Sequence, residues 1–432
     1  MIVGIALLIL VITLLLGVPV PFAFFASVIF LIFTQGYDPS FLLPYGYSKM
    51  STTVLLAIPL FILAGGLMEK GKIGEKLVGL VELFVGSIKG ALGVVTVVSC
   101  AVFGSITGSA AATLSVIGSI MFPRLEKAGY PKGFSAALIA NSSVLGMLIP
   151  PSSIMILYAW IGNQSVLASF LASVILGIIL MTLLSLVNMV YLRKNPDLVI
   201  NEKMDYKTFS REAKKRTFKA SPALVMPILV LGGIYGGIVT PTEAAAIAVV
   251  YAIPVGFFIY KGLNRQNFLQ VIIDSAVTTG VIMVMLYAVM ILSRLYIMEN
   301  LPATIMSVLQ SISTNKIVIM LMINVFMIII GMLMDDVSAV LLCTPILLPI
   351  VTQLGVSTIQ FAAIVGVNLG MGNITPPTAP LLYLAGRIGG APINEMLKPT
   401  FAMLLFAWTP TLLLTTYFPI ISTWLPKLIL QH

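Results

Sequence analysis

The chain has 432 residues, of which 59% are hydrophobic and 9% charged, with a formal net charge of +9; an average soluble domain is about 25% charged. With a mean hydropathy of +1.09, this composition excludes a soluble enzyme, a nucleic-acid binder and a disordered chain. It predicts an all-α polytopic membrane protein with about 11–12 membrane segments of ~20 residues each.

In chain order, Ile2 to Leu16 is apolar and lacks a basic flank or a small-residue cleavage site, so it is expected to stay as a helix and not leave as a signal peptide. Gly66 to Ile73 has the G-x-x-x-x-G-K spacing of a phosphate loop. Ile73 replaces the Ser or Thr that would hold Mg²⁺, and the stretch follows an apolar helix, so a basic surface loop is expected and ATP hydrolysis is not. Cys100 and Cys343 both lie in apolar runs and read as small buried hydrophobes, not as a disulfide. Gly104 to Thr113 (GSITGSAAAT) is rich in Gly, Ser and Thr, and Asn141 to Ser153 (NSSVLGMLIPPSS) carries a double proline. No ordinary spanning helix would choose either, because proline removes a donor and glycine weakens the helix.

Arg193 to Lys219 is the longest polar stretch, with nine basic residues against four acidic ones: Asp197, Glu202, Asp205 and Glu212. Basic loops stay on the cytoplasmic side, so a cytoplasmic linker is expected over 193–220, between halves at 1–192 and 221–432. Beyond it, Thr240-Pro241-Thr242-Glu243 has the pattern of a capping box with Pro at the first helical position. Asp274 and Arg294 are expected to be structural or interfacial. Asp335 and Asp336 stand between GMLM and VSAVLL, where a carboxylate is a functional candidate by default. Asn368 to Thr378 (NLGMGNITPPT) repeats the double-proline theme. Arg387 could hold a substrate carboxylate or snorkel from a helix end. The only histidine, His432, is the last residue, which excludes a His metal site, triad or proton relay inside the membrane.

The halves resemble each other in order. Gly17 to Pro21 aligns with Gly237 to Pro241, and Gly104 to Ala110 with Gly331 to Val337. FSAALIAN at Phe134 to Asn141 aligns with FAAIVGVN at Phe361 to Asn368, and Pro150-Pro151-Ser152 with Pro376-Pro377-Thr378. Internal repeats with paired interruptions are a transporter signature and point to a midplane site. If each half crosses an odd number of times, the repeats are inverted and both termini face the periplasm. Freed backbone groups at membrane depth are tolerable only where they line a cavity or bind something.

The chemistry on offer is oxygen. Hard Na⁺ binds carbonyls, hydroxyls and carboxylates, and half-helix N-termini present free amides to an anion. Candidate Na⁺ positions are Ser105, Thr107, Ser109, Asn141, Asp335, Asn368, Gly370, Gly372, Asn373 and Thr375. Candidate substrate positions are Ser152, Ser153, Asp335, Thr378 and Arg387. No soft or imidazole ligand is available and no HExxH or GxSxG occurs, so neither a cofactor nor an enzyme is expected. A passive channel does not explain two matched sets of breaks.

AIPLFILAGGLME at Ala57–Glu69, FGSITGSAAAT at Phe103–Thr113 and IPPS at Ile149–Ser152 are followed by GIVTPTEAAA at Gly237–Ala246, GMLMDD at Gly331–Asp336 and ITPPTAP at Ile374–Pro380. On these motifs, which run over most of the chain, the sequence resembles the large membrane (M) subunit of tripartite ATP-independent periplasmic (TRAP) transporters. The family's glycine-aspartate motif corresponds to Gly331, Met332 and Asp335, which favours Asp335 over Asp336. The resemblance implies an inverted-repeat, elevator-type transporter with discontinuous helices and re-entrant hairpins in the bacterial inner membrane. The early helices of each half would form the scaffold, and the broken segments the transport domain. It further implies Na⁺-coupled uptake of an organic acid anion of sialic acid or C4-dicarboxylate type. The partners implied are a small four-helix membrane (Q-type) subunit, a periplasmic substrate-binding (P-type) protein and membrane lipid. The chain begins directly with the large-subunit pattern, so no fused small subunit is expected. The rival is a stand-alone Na⁺/dicarboxylate symporter or ion antiporter of related architecture.

Overall fold

The computed structural model describes residues 2–85, 89–193, 195–196, 198 and 206–430. Lys194, Asp197, Glu202, Lys203, Asp205 and His432 lie outside the described residues. Every regular element among those described is helical. This is what a bilayer demands, because a helix satisfies its own backbone groups where no water can.

Eight helices are long and apolar enough to cross a membrane, or nine if the bent pair Lys132–Leu148 and Ser153–Ile161, kinked by 45°, counts as one span. Fewer segments qualify than composition alone suggests, because interruptions split apolar runs into short pieces. Ala91–Thr107 and Thr358–Gly372 are two of these, each ending at a glycine-rich break. Large apolar side chains such as Phe33, Phe218 and Ile238 point outward and are exposed. On a soluble protein such a surface would aggregate, whereas lipid covers it without cost.

Two of the sequence's polar stretches fold differently from expectation. Gly66 to Lys70 is not a loop but the last turn of the Ala57–Lys70 helix, and only Gly71 and Lys72 turn before Ile73 opens the next helix. From Tyr206 the polar stretch is already helical and runs on as Tyr206–Tyr235. There Arg216 anchors it, donating to the Gly79 carbonyl at 2.9 Å and pairing with Glu82 at 3.5 Å and Glu212 at 3.4 Å. The Thr240 capping box forms as the sequence predicts: the Thr240 N–H donates to Glu243 at 2.7 Å and the Glu243 N–H donates to the Thr240 hydroxyl at 3.3 Å. Cys100 and Cys343 are free and buried.

The core is continuous across the two halves. Tyr158 lies edge-on to Phe361 at 6.1 Å and donates its hydroxyl to the Thr358 carbonyl at 2.6 Å. Trp408, the largest fully buried side chain, donates to Asn141 Oδ1 at 3.0 Å. The Ala57–Lys70 helix packs on Pro241–Pro254 and on Arg265–Met298, and the broken helices gather beside them.

Candidate functional site

The first break lies between Ala91–Thr107 and Ala110–Lys127. Gly108 closes the first helix in the left-handed conformation (φ 63°), and Ser109, extended, opens the second. A new helix leaves its first N–H groups without partners, and the Ser109 hydroxyl accepts from one of them, Ala112, at 3.4 Å. The Thr113 hydroxyl returns to the Ser109 carbonyl at 2.8 Å and lies 3.2 Å from the Thr107 hydroxyl, so hydroxyls knit the break together.

In the second half, Lys316–Leu333 ends, Met334 is extended, and Asp335 caps Asp336–Gln353. The Asp335 carboxylate accepts from the Val337 N–H at 3.1 Å, the Ser338 N–H at 3.3 Å and the Ser338 hydroxyl. The two caps therefore pair Ser109 with Asp335. The sequence alignment is one residue out here, because it sets Ser109 against Asp336. The start of a helix is fixed by whichever side chain can cap it, and Ser and Asp are interchangeable in that role.

Each break is braced through glycine. A Cβ on Gly104 would stand 2.4 Å from Gly146 Cα, and one on Gly372 would stand 2.6 Å from Gly331 Cα. Small residues let helix backbones touch in this way. Behind the breaks stand two buried asparagines at matching positions. Asn141 donates to the Ala137 carbonyl and accepts from Trp408, whereas Asn368 donates to Asn324 and Ile364 while its own Oδ1 has no partner.

The breaks border a cavity of about 270 Å³. Thr107, Ser109 and Ser153 enter it from the first half, and Asp336 and Val337 from the second. Its remaining walls come from the Ala57–Lys70 helix, through Phe61, Gly65 and Glu69, and from Arg265–Met298, through Asp274, Ser275 and Thr278. The polar lining is hydroxyl and carboxylate only; no Lys, Arg or His lines it among the described residues. The carboxylates do not converge into a cluster that could hold a metal ion by themselves. Glu69 is paired with Lys70 at 3.3 Å, and Asp274 accepts from Gln270 at 2.8 Å.

The other predicted positions lie outside the cavity lining. Ser105 is buried with its hydroxyl on the Val102 carbonyl. Ser152 and Asn373 are buried and keep oxygens without a partner. Gly370 lies under Val144 and Trp408. Thr375 bonds back to the Met371 carbonyl at 2.6 Å, and Thr378 is exposed. Asp335 spends its carboxylate on the helix start. Arg387 is exposed in the last turn of Pro380–Gly389, where a cation suits the helix dipole. Asp274, in contrast, belongs to the cavity wall. Its signal was available in the sequence: it sits roughly 14 Å along an apolar helix, where an ionisable side chain points to function.

Known proteins place this architecture. The YdaH transporter of Alcanivorax borkumensis has the same fold, with a TM-score of 0.62 over 86% of this chain and 87% of that one, at 15% identity. The isethionate TRAP transporter permease protein DctMQ of Oleidesulfovibrio alaskensis is 34% identical over 417 residues; the alignment takes in 94% of this chain but only 64% of the relative's length. The sialic acid TRAP transporter large permease protein SiaM of Vibrio cholerae is 31% identical over 421 residues, 96% of each chain. The C4-dicarboxylate large permease protein DctM of Pseudomonas aeruginosa is 32% identical over 377 residues, 86% of each. Residues 7–421 match the model of the tripartite ATP-independent periplasmic transporter, DctM component. The chain therefore belongs to the TRAP transporter family, as a large (M) permease subunit.

Proposed function

We propose that this chain carries an organic acid anion into the cell across the bacterial inner membrane, driven by Na⁺. The observation that carries the proposal is the cavity whose polar lining is hydroxyl and carboxylate, with Asp336, Asp274 and Glu69 and no basic side chain. An anion brought to ~4 Å from one unpaired carboxylate meets a repulsion of about 4 kcal/mol at an effective dielectric constant of ~20. A Na⁺ ion bound first reverses the sign of that interaction and is itself well matched to oxygen donors. The unpartnered oxygens of Ser152, Asn368 and Asn373 supply further donors near the breaks. The membrane potential adds ~2.3 kcal/mol per charge per 100 mV whenever more Na⁺ charge than anion charge crosses.

The relatives named above handle isethionate, sialic acid and C4-dicarboxylates, all organic acid anions. By the same likeness, the partners are a small Q-type membrane subunit and a periplasmic P-type binding protein. The halves 1–192 and 221–432 would be inverted repeats joined by a cytoplasmic linker, with both termini periplasmic. The broken helices would move as an elevator against the early helices of each half. The test is uptake in proteoliposomes holding the chain and its small subunit. Transport should require added binding protein and an inward Na⁺ gradient. Uptake that runs unchanged in K⁺ would sink the Na⁺ mechanism, and uptake without the binding protein would make the chain a stand-alone symporter.

A further inference from the structure

On the membrane-facing side, away from the cavity, an apolar groove of about 320 Å³ runs between two helices. One wall is Leu183, Val187, Val190 and Tyr191 of Val166–Leu192; the other is Ala402 and Phe406, where Ile393–Met403 passes into the π turn Leu404–Trp408. The helices run antiparallel here, because Tyr191 stacks on Phe134 at 4.9 Å and the neighbouring Gly133 touches Glu395. The end of the first helix thus meets the start of the second. At that end the groove leaves the apolar run and reaches the polar stretch that begins at Arg193.

Two exposed cations stand there. Arg193 follows Tyr191 by two residues, and Lys398 lies one turn before Ala402 on the same face. Neither joins any of the ion pairs among the described residues, while Lys132 nearby is spent on Glu126 at 3.0 Å. Glu395 opposes them with one charge, so the mouth stays cationic, and Lys194 follows in the sequence. Tyrosine favours the headgroup level of a bilayer, and basic mouths between helices bind anionic headgroups.

We propose that this groove is a site for one anionic phospholipid. An acyl chain lies along Leu183 to Val190, and the phosphate sits between Arg193 and Lys398. The site lies outside the transport cavity and does not depend on which substrate the cavity takes.

Native mass spectrometry of the detergent-purified chain tests it, with phosphatidylglycerol and phosphatidylethanolamine titrated separately. Phosphatidylglycerol should bind the wild type more tightly. Removing charge in the Arg193→Gln/Lys398→Gln variant should weaken that binding about fivefold per cation, roughly thirtyfold for both. Ala402→Trp, which fills the groove, should abolish the adduct. Equal binding of the two lipids, or a double variant that keeps the phosphatidylglycerol adduct, overturns the proposal. So does a dimer, or a complex with the small subunit, that Ala402→Trp dissociates, because the groove would then be a protein interface. The charge variant changes only exposed side chains, so it decides the matter even if Ala402→Trp does not fold.

Discussion

Ser109 and Asp335 open equivalent helices, yet one brings a neutral hydroxyl and the other a charge. The first break holds itself together with Thr107, Ser109 and Thr113 and brings Thr107 and Ser109 to the cavity. The second consumes one carboxylate as a cap and presents the next, Asp336. The asparagines behind them differ in the same sense: Asn141 is satisfied by Trp408, and Asn368 keeps a bare oxygen. The two breaks share what the helix termini require and differ in their remaining polar groups. At the cavity the second break brings a carboxylate where the first brings only hydroxyls, which suits a cation.

The comparison breaks most drastically at the glycine contacts. Gly104→Val and Gly372→Val each drive new carbons into backbone that has no side chain to move aside. Overpacking costs about 1–3 kcal/mol, and both variants are expected at the upper end. Loss of monodisperse protein on size exclusion, with a lower melting temperature, should appear for both; collapse of only one would show that the halves are not braced alike.

Next comes the charge that the two breaks do not share. Asp336→Asn should cut uptake by at least roughly tenfold, the scale of one charge-assisted contact of about 1.5–3 kcal/mol, with protein yield unchanged. Ser109→Ala removes a cap worth ~1 kcal/mol, so thermal stability should fall while uptake drops only severalfold. Asp335→Asn sharpens the distinction, since Asn caps as well as Asp. Its melting temperature should match the wild type, and any rise in the Na⁺ concentration for half-maximal uptake reports the lost charge alone. The smallest effect is expected for Arg387→Ala, which should keep uptake within about twofold because the side chain is exposed and outside the cavity. A large loss there would return Arg387 to substrate binding.

Much of the architecture was legible because breaks announce themselves locally. Gly108, the double prolines and the Thr240 box sit where backbone chemistry forces a stop or a start. The walls of the cavity were not legible. Glu69 and Asp274 meet Thr107 only through contacts between distant parts of the chain, and hydropathy is silent on which face of an apolar helix meets which neighbour. The repeat places residues without fixing what they bond to. Asn368 to Thr378 matches the first half, but only the structure shows that Asn373 is buried with its Oδ1 unpartnered and that Thr375 bonds back to the Met371 carbonyl. The one-residue slip at the second break has the same origin, since identity matching follows Gly331 while the helix start follows the cap.

The contacts of Gly104 with Gly146 and of Gly331 with Gly372 have a mechanical consequence. A joint deforms either by repacking side chains or by rotating free backbone, and these contacts offer neither. Helices meeting main chain to main chain are close-packed and poorly compressible. The two glycine contacts are therefore stiff points of the molecule, and Gly108 adds to the first of them, since a Cβ there would stand 2.6 Å from the Pro151 carbonyl oxygen. Displacing one helix of such a pair carries the other with it, because neither backbone has room to slide closer.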